Sequence, residues 1–134
     1  MRAGLPSERD VLLGIYEMYE PAFPGKTPGE NDPLIAIDVT AVAAKLGCKP
    51  HLLFGFLYYY LEHKYRYKTG ENTYVNLFVV QAGNMRHVVN FPYLAAILSA
   101  HDHDRSRYVW TLGVSIVALV LSISAIIAQL VTSK

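Results

Sequence analysis

The feature that most constrains this chain lies near its C-terminal end. Tyr108 to Val131 reads YVWTLGVSIVALVLSISAIIAQLV, with no charged residue and no proline. As an α-helix this stretch extends about 36 Å at 1.5 Å per residue, against a bilayer hydrocarbon thickness of about 30 Å. A slight tilt absorbs the difference. Tyr108 and Trp110 fall at its start, where amphipathic rings prefer the membrane interface. Core helices of soluble proteins rarely run so long with apolar residues on every face. The expectation is a single membrane-spanning helix over about 108–131, within an anchor segment 105–134.

Flanking charge gives the expected orientation. Arg105 and Arg107 precede the stretch and Lys134 follows it, so the positive-inside rule puts the N-terminal part in the cytoplasm. The opening run MRAGLPSERD has no apolar segment of signal-peptide length. Cys48 is the one cysteine, so no intrachain disulfide can form, which suits a reducing compartment. The expected layout is a tail-anchored, single-pass protein with a cytoplasmic domain.

One face of the anchor is patterned. Thr111, Ser115, Ala118, Ser122, Ala125, Gln129 and Thr132 recur at alternating steps of four and three. That is a heptad seam of small or polar residues. Membrane helices pack closely through such residues, and their hydroxyl and amide groups can bond across the contact. The seam predicts self-association as a homodimer or small oligomer, with Ser115, Ala118, Ser122, Ala125 and Gln129 at the interface.

Roughly a hundred residues remain, enough for one modest core. Their charge is segregated. Met1–Thr40 holds seven acids against three bases, whereas Ala41–Phe91 holds six bases against two acids. A basic segment attracts anions, nucleic acid or acidic lipid. Alternatively, an acidic first helix covers its basic neighbour.

The pattern of residues predicts a mainly α-helical domain with a small β-hairpin. Ser7 caps a first helix through Tyr19, whose Val11, Leu12, Ile15, Met18 and Tyr19 share one face. Pro21–Pro33 is dense in proline and glycine and reads as a long loop. Residues 1–33 thus form an N-terminal helix and loop. Leu34–Ile37 reads as a strand, and a second helix runs from Asp38 or Thr40 to Leu46. Pro50 opens a third helix to about Tyr67. Thr73–Val80 reads as a strand, Ala82-Gly83-Asn84 as a turn and Arg86–Asn90 as the returning strand. A last short helix from Pro92 leads into HDHDRSR, closing a domain at 34–104.

At Val42-Ala43, Leu46-Gly47-Cys48, Leu53 and Phe56 the segment resembles a helix-turn-helix. Ala43 is small where two helices cross, and Gly47 suits a left-handed turn. With the hairpin as a wing, residues from Leu34 to about Ala100 resemble a winged-helix domain. Most members of that family bind DNA by laying the third helix in the major groove. By position, the resemblance puts Lys49, Pro50, His51, Phe54, Gly55 and Tyr58 on the base-reading face. Base readers carry forked donors and acceptors, which Phe54, Gly55 and Tyr58 lack. Lys49, His51, Lys64, Arg66 and Lys68 remain for phosphate, implying salt-sensitive, weakly selective contact.

The third helix is unusual in a second way. LLFGFLYYYL leaves hardly a polar face between Leu52 and Leu61. The winged-helix core cannot bury all of it, so the rest either meets a partner, a second subunit or the membrane surface, or is covered by the N-terminal helix. Tyrosine suits interfaces because its ring buries area while its hydroxyl stays bonded. Phe54, Tyr58 and Tyr59 are the expected partner-binding residues.

Chemistry is sparse elsewhere. No nucleotide-binding loop, hydrolase elbow or zinc-protease motif occurs. His101-Asp102-His103-Asp104 alternates metal-ligating types, but neighbouring helical residues point apart. No enzymatic role, cofactor or metal is expected. Three readings follow in order: a membrane-anchored module that recruits a protein, a membrane-tethered DNA-binding regulator, and a small effector acting on the bilayer.

Overall fold

The computed structural model describes residues 4–23 and 33–133. Most of the predicted Pro21–Pro33 loop lies outside the described residues. The chain is mainly helical, with two small antiparallel sheets and one long apolar C-terminal helix. It divides into two compact units, Met1–Leu98 and Ser99–Lys134.

In the first unit, α1 spans Glu8–Tyr19. The Ser7 hydroxyl accepts from the Asp10 amide at 3.2 Å and donates to the Asp10 carboxylate at 2.6 Å. The cap satisfies one of the amides that a helix start leaves without a partner. A short 3-10 turn, Glu20–Ala22, follows. β1 is Leu34–Ala36 and α2 is Val39–Leu46. Asp38 caps α2 by accepting from the Ala41 amide at 3.1 Å. Gly47 ends it at φ 69°, left-handed as expected, where a side chain costs strain. α1 and α2 approach closely, since a Cβ on Gly14 would stand 2.8 Å from Leu46 Cδ2.

The third helix departs from the sequence expectation. It starts as α3, Pro50–Gly55, widens into a π-helical stretch over Phe56–Leu61 and closes as α4, Glu62–Tyr65. Leu53, Leu57 and Leu61 are all fully buried. Leucines four apart drift about 40° per step around an α-helix, and a wider turn drifts the other way. The π stretch therefore holds a four-residue stripe on the core.

The predicted strand Thr73–Val80 is two strands. β2 (Tyr67–Lys68) pairs with β3 (Tyr74–Val75) in a separate ribbon. β4 (Phe78–Ala82) pairs with β5 (Met85–Asn90), and β1 joins β5 on its other edge. The sheet order is β1-β5-β4, antiparallel throughout. Gly83 makes the hairpin turn at φ 59°.

α5 spans Phe91–Thr132, much longer than the predicted short helix, because the HDHDRSR linker is itself helical. Within the first unit its Phe91, Leu94, Ile97 and Leu98 complete the core with residues from α1, α2, the third helix and β4–β5. In the second unit every described residue but His101 is exposed. This helix is long and apolar enough to cross a membrane, with mean hydropathy 2.5 in its most apolar window and none of that window buried. The Thr111, Ser115, Ser122 and Thr132 hydroxyls donate to carbonyls one turn back at 2.7–2.9 Å. Such back-bonding satisfies hydroxyl groups on an otherwise apolar helix.

Candidate functional site

The composite third helix carries most of the residues that the sequence singles out, and the structure sorts them by role. Phe54 and Tyr58 are half-buried and pack on the core. Their rings lie 4.6 Å apart, and Tyr58 meets Phe78 edge-on at 6.3 Å. The Tyr58 hydroxyl is hydrogen-bonded to His87 Nδ1 at 2.9 Å. Phe54 also meets the His87 ring edge-on, at 5.9 Å. Burial, with the nearby Glu62 charge, pushes the Tyr58 phenol up to about 12.

His87 is the one described residue other than glycine with positive φ, at 54°. That conformation costs a side-chain-bearing residue free energy and persists only where surroundings enforce it. Here the His87 carbonyl accepts from the Ile37 amide at 2.7 Å, and the ring bonds Tyr58. Tyr58 thus joins the third helix to the sheet. It cannot present its hydroxyl to a partner without giving up that joint.

Tyr59 faces outward. It is 78% exposed, and its neighbour Tyr60 is 48% exposed. Phe56 stacks on Tyr60 at 5.1 Å, and the Lys64 ammonium lies 5.8 Å from the Tyr60 ring centre. The outward face of the π stretch is therefore an aromatic surface edged by a cation.

The five bases expected to meet phosphate are all exposed and fall into two groups along the chain. Lys49 and His51 are exposed at the start of α3. Lys64, Arg66 and Lys68 lie at the far end of the composite helix and in β2, about 20 Å away along the helix axis. Lys64 Nζ pairs with Glu8 Oε2 at 2.8 Å, and the pairing raises its pKa. The Tyr65 hydroxyl donates to the other Glu8 oxygen. Desolvation first, then Glu8, pushes the Tyr65 phenol up to about 12. The acidic first helix thus covers part of the basic segment. Arg66 stacks over the Tyr74 ring at 5.0 Å, and Lys68 stands opposite Tyr74 in the ribbon.

A second joint holds the far end of the helix. Glu62 Oε2 accepts from the backbone amides of Leu77 and Phe78 at 2.8 and 2.7 Å. Burial raises the Glu62 pKa against the opposing effects of those amides and Arg66. Sequence reasoning missed Glu8, Glu62 and His87, whose partners lie 56, 15 and 29 positions away. It also missed the β2–β3 ribbon. A signal was present there, since Tyr67 and Tyr74 flank the glycine-containing turn Lys68–Asn72 at hairpin spacing.

Among the described residues no group of three or more His, Cys, Asp and Glu side chains could hold a metal. The Cys48 thiol is raised, chiefly by burial, and packs against the core.

No known family model, curated protein or solved structure matches this chain.

Proposed function

We propose that this chain is a non-enzymatic, membrane-anchored binding module, in which a winged-helix-like domain at the cytoplasmic face recruits a protein through its third helix. The order helix, strand, two helices, two-stranded ribbon, hairpin and helix, with β1 bonded to β5 of the hairpin, supports the winged-helix reading. The apolar part of α5 supplies the membrane span. Arg105 and Arg107 on its N-terminal side favour the cytoplasmic orientation.

One observation carries the choice of partner. On the helix that reads DNA in such domains, the most exposed large hydrophobic side chain is Tyr59, followed by Tyr60. Neither offers the forked contacts that distinguish bases, whereas exposed tyrosine is enriched in protein interfaces. Replacing Tyr59 and Tyr60 together by serine in the full-length chain should abolish a specific crosslinked partner in native membranes. An unchanged crosslinking pattern would overturn the reading.

Self-association through the seam of α5 belongs to the same proposal. Its hydroxyls are satisfied within the helix, so close packing at Ala118, Ser122 and Ala125 would drive the contact. Gln129 would add an amide bond across it. A118L with S122L should eliminate dimer crosslinking between full-length chains.

A second reading, a membrane-tethered DNA-binding regulator, draws on exposed Lys49, His51, Arg66 and Lys68. It predicts duplex binding that weakens steeply with salt and is lost in K49E with K68E.

A further inference from the structure

Where the third helix meets the start of β4, two buried oxygens lack a protein donor. They are Glu62 Oε1 and Asn76 Oδ1. Buried acceptors without partners are uncommon, and each calls for a physical reason. Both belong to one corner of the fold. Asn76 immediately precedes Leu77, whose amide donates to the other oxygen of the same carboxyl group, as does the amide of Phe78. Among the described residues no lysine, arginine or histidine forms an ion pair with Glu62. Arg66, whose charge favours the ionised carboxylate, is exposed and stacked on Tyr74. The other titratable groups around the carboxyl are the phenols of Tyr58 on the third helix and Tyr93 on α5. A phenol carries no positive charge in either form, so neither offsets a charged carboxylate.

We propose that Glu62 and Asn76 form a proton-dependent clasp between the third helix and the wing. As the neutral acid, Glu62 donates its proton from Oε1 to Asn76 Oδ1, while Oε2 keeps the amides of Leu77 and Phe78. One proton taken from solvent then supplies a donor where two buried acceptors lack one. When the proton returns to solvent, Oε1 of the charged carboxylate and Asn76 Oδ1 are both left without a donor in a site that water scarcely reaches. That is the costly arrangement for a buried polar pair.

The direction of the pH dependence follows. The burial-driven rise in the Glu62 pKa means that the folded chain binds this proton more tightly than the unfolded chain does. The clasp therefore contributes its full stability below the ordinary glutamate pKa, and that contribution is lost as pH rises through the raised, folded value. The third helix and β4 then loosen together. Raising the pH through that folded value frees the wing, and lowering it locks the wing.

The test uses the full-length chain in lipid nanodiscs, with carboxyl-labelled glutamate read by infrared spectroscopy across a pH titration. One glutamate should keep the protonated-carboxyl band to a distinctly higher pH than the others. N76A should bring that transition back toward the ordinary range. E62Q, a permanently neutral analogue that can still donate to Asn76, should remove the late band and flatten the pH dependence of the melting temperature. A Glu62 that ionises with the exposed glutamates would overturn the clasp, and that is the result expected if a bridging water satisfied both oxygens. An unshifted transition in N76A would also overturn it. Should E62Q fail to fold, the wild-type titration and N76A decide the matter.

Discussion

Tyr58 and Tyr59 are adjacent in sequence and chemically identical, yet the structure leaves one half-buried and the other 78% exposed. Tyr58→Phe removes the hydrogen bond to His87 Nδ1 at 2.9 Å and leaves the ring contacts with Phe54 and Phe78 in place. One lost side-chain hydrogen bond between half-buried groups costs about 1 kcal/mol. In a domain of roughly a hundred residues, that corresponds to a fall of about 4–8 °C in melting temperature. Loss of the bond also releases one of the two restraints on strained His87. Tyr59→Ser changes a side chain that is 78% exposed, and such surface changes stay within about 0.5 kcal/mol. The assay is thermal unfolding of both full-length variants in nanodiscs by near-ultraviolet circular dichroism, alongside partner crosslinking. Y58F should melt earlier and keep its partner, whereas Y59S should melt with wild type and lose it. The reasoning fails if Y58F melts with wild type, or if Y59S is the variant that unfolds early.

Three further outcomes follow from the same contacts. Gly47→Ala should cost about 1 kcal/mol, because φ 69° is strained for any side chain although nothing crowds the position; denaturant unfolding would register it, and an unchanged midpoint would contradict the left-handed cap. Glu8→Ala strips Lys64 of its ion pair and Tyr65 of its acceptor, so the chain should lose stability and bind heparin more strongly, which column retention in salt would show. The phenols of Tyr58 and Tyr65, both pushed up to about 12, should ionise later than the exposed tyrosines in an absorbance titration. Their neutral forms are favoured by folding, so their contribution holds below about 10 and fades as pH climbs through about 12.

The parts of the fold fixed by local chemistry were legible in the chain. Ser7 and Asp38 cap their helices through side-chain oxygens within three residues. Gly47 turns left-handed because only glycine does so freely, and the hydropathy of Tyr108–Val131 needs no tertiary information. The π stretch was not legible, because a run of leucine and aromatic residues fits an α-helix or a wider one equally. What selects it is the core on which Leu53, Leu57 and Leu61 must all land. The break between β3 and β4 was hidden for a similar reason. Asn76 is the one strand-disfavouring residue between Thr73 and Val80, and the break is fixed by the distant carboxylate of Glu62. The aromatic helix was legible as a surface with too much to bury. Which tyrosine turns inward was not, since that depends on His87 across the sheet.

The account depends first on the apolar part of α5 residing in lipid. Alkaline carbonate extraction of membranes containing the full-length chain tests this directly, since it strips peripheral proteins and leaves spanning ones. The chain should remain wholly in the pellet and enter solution only with detergent. Recovery in the carbonate supernatant would contradict the membrane anchor and the recruitment proposal built on it.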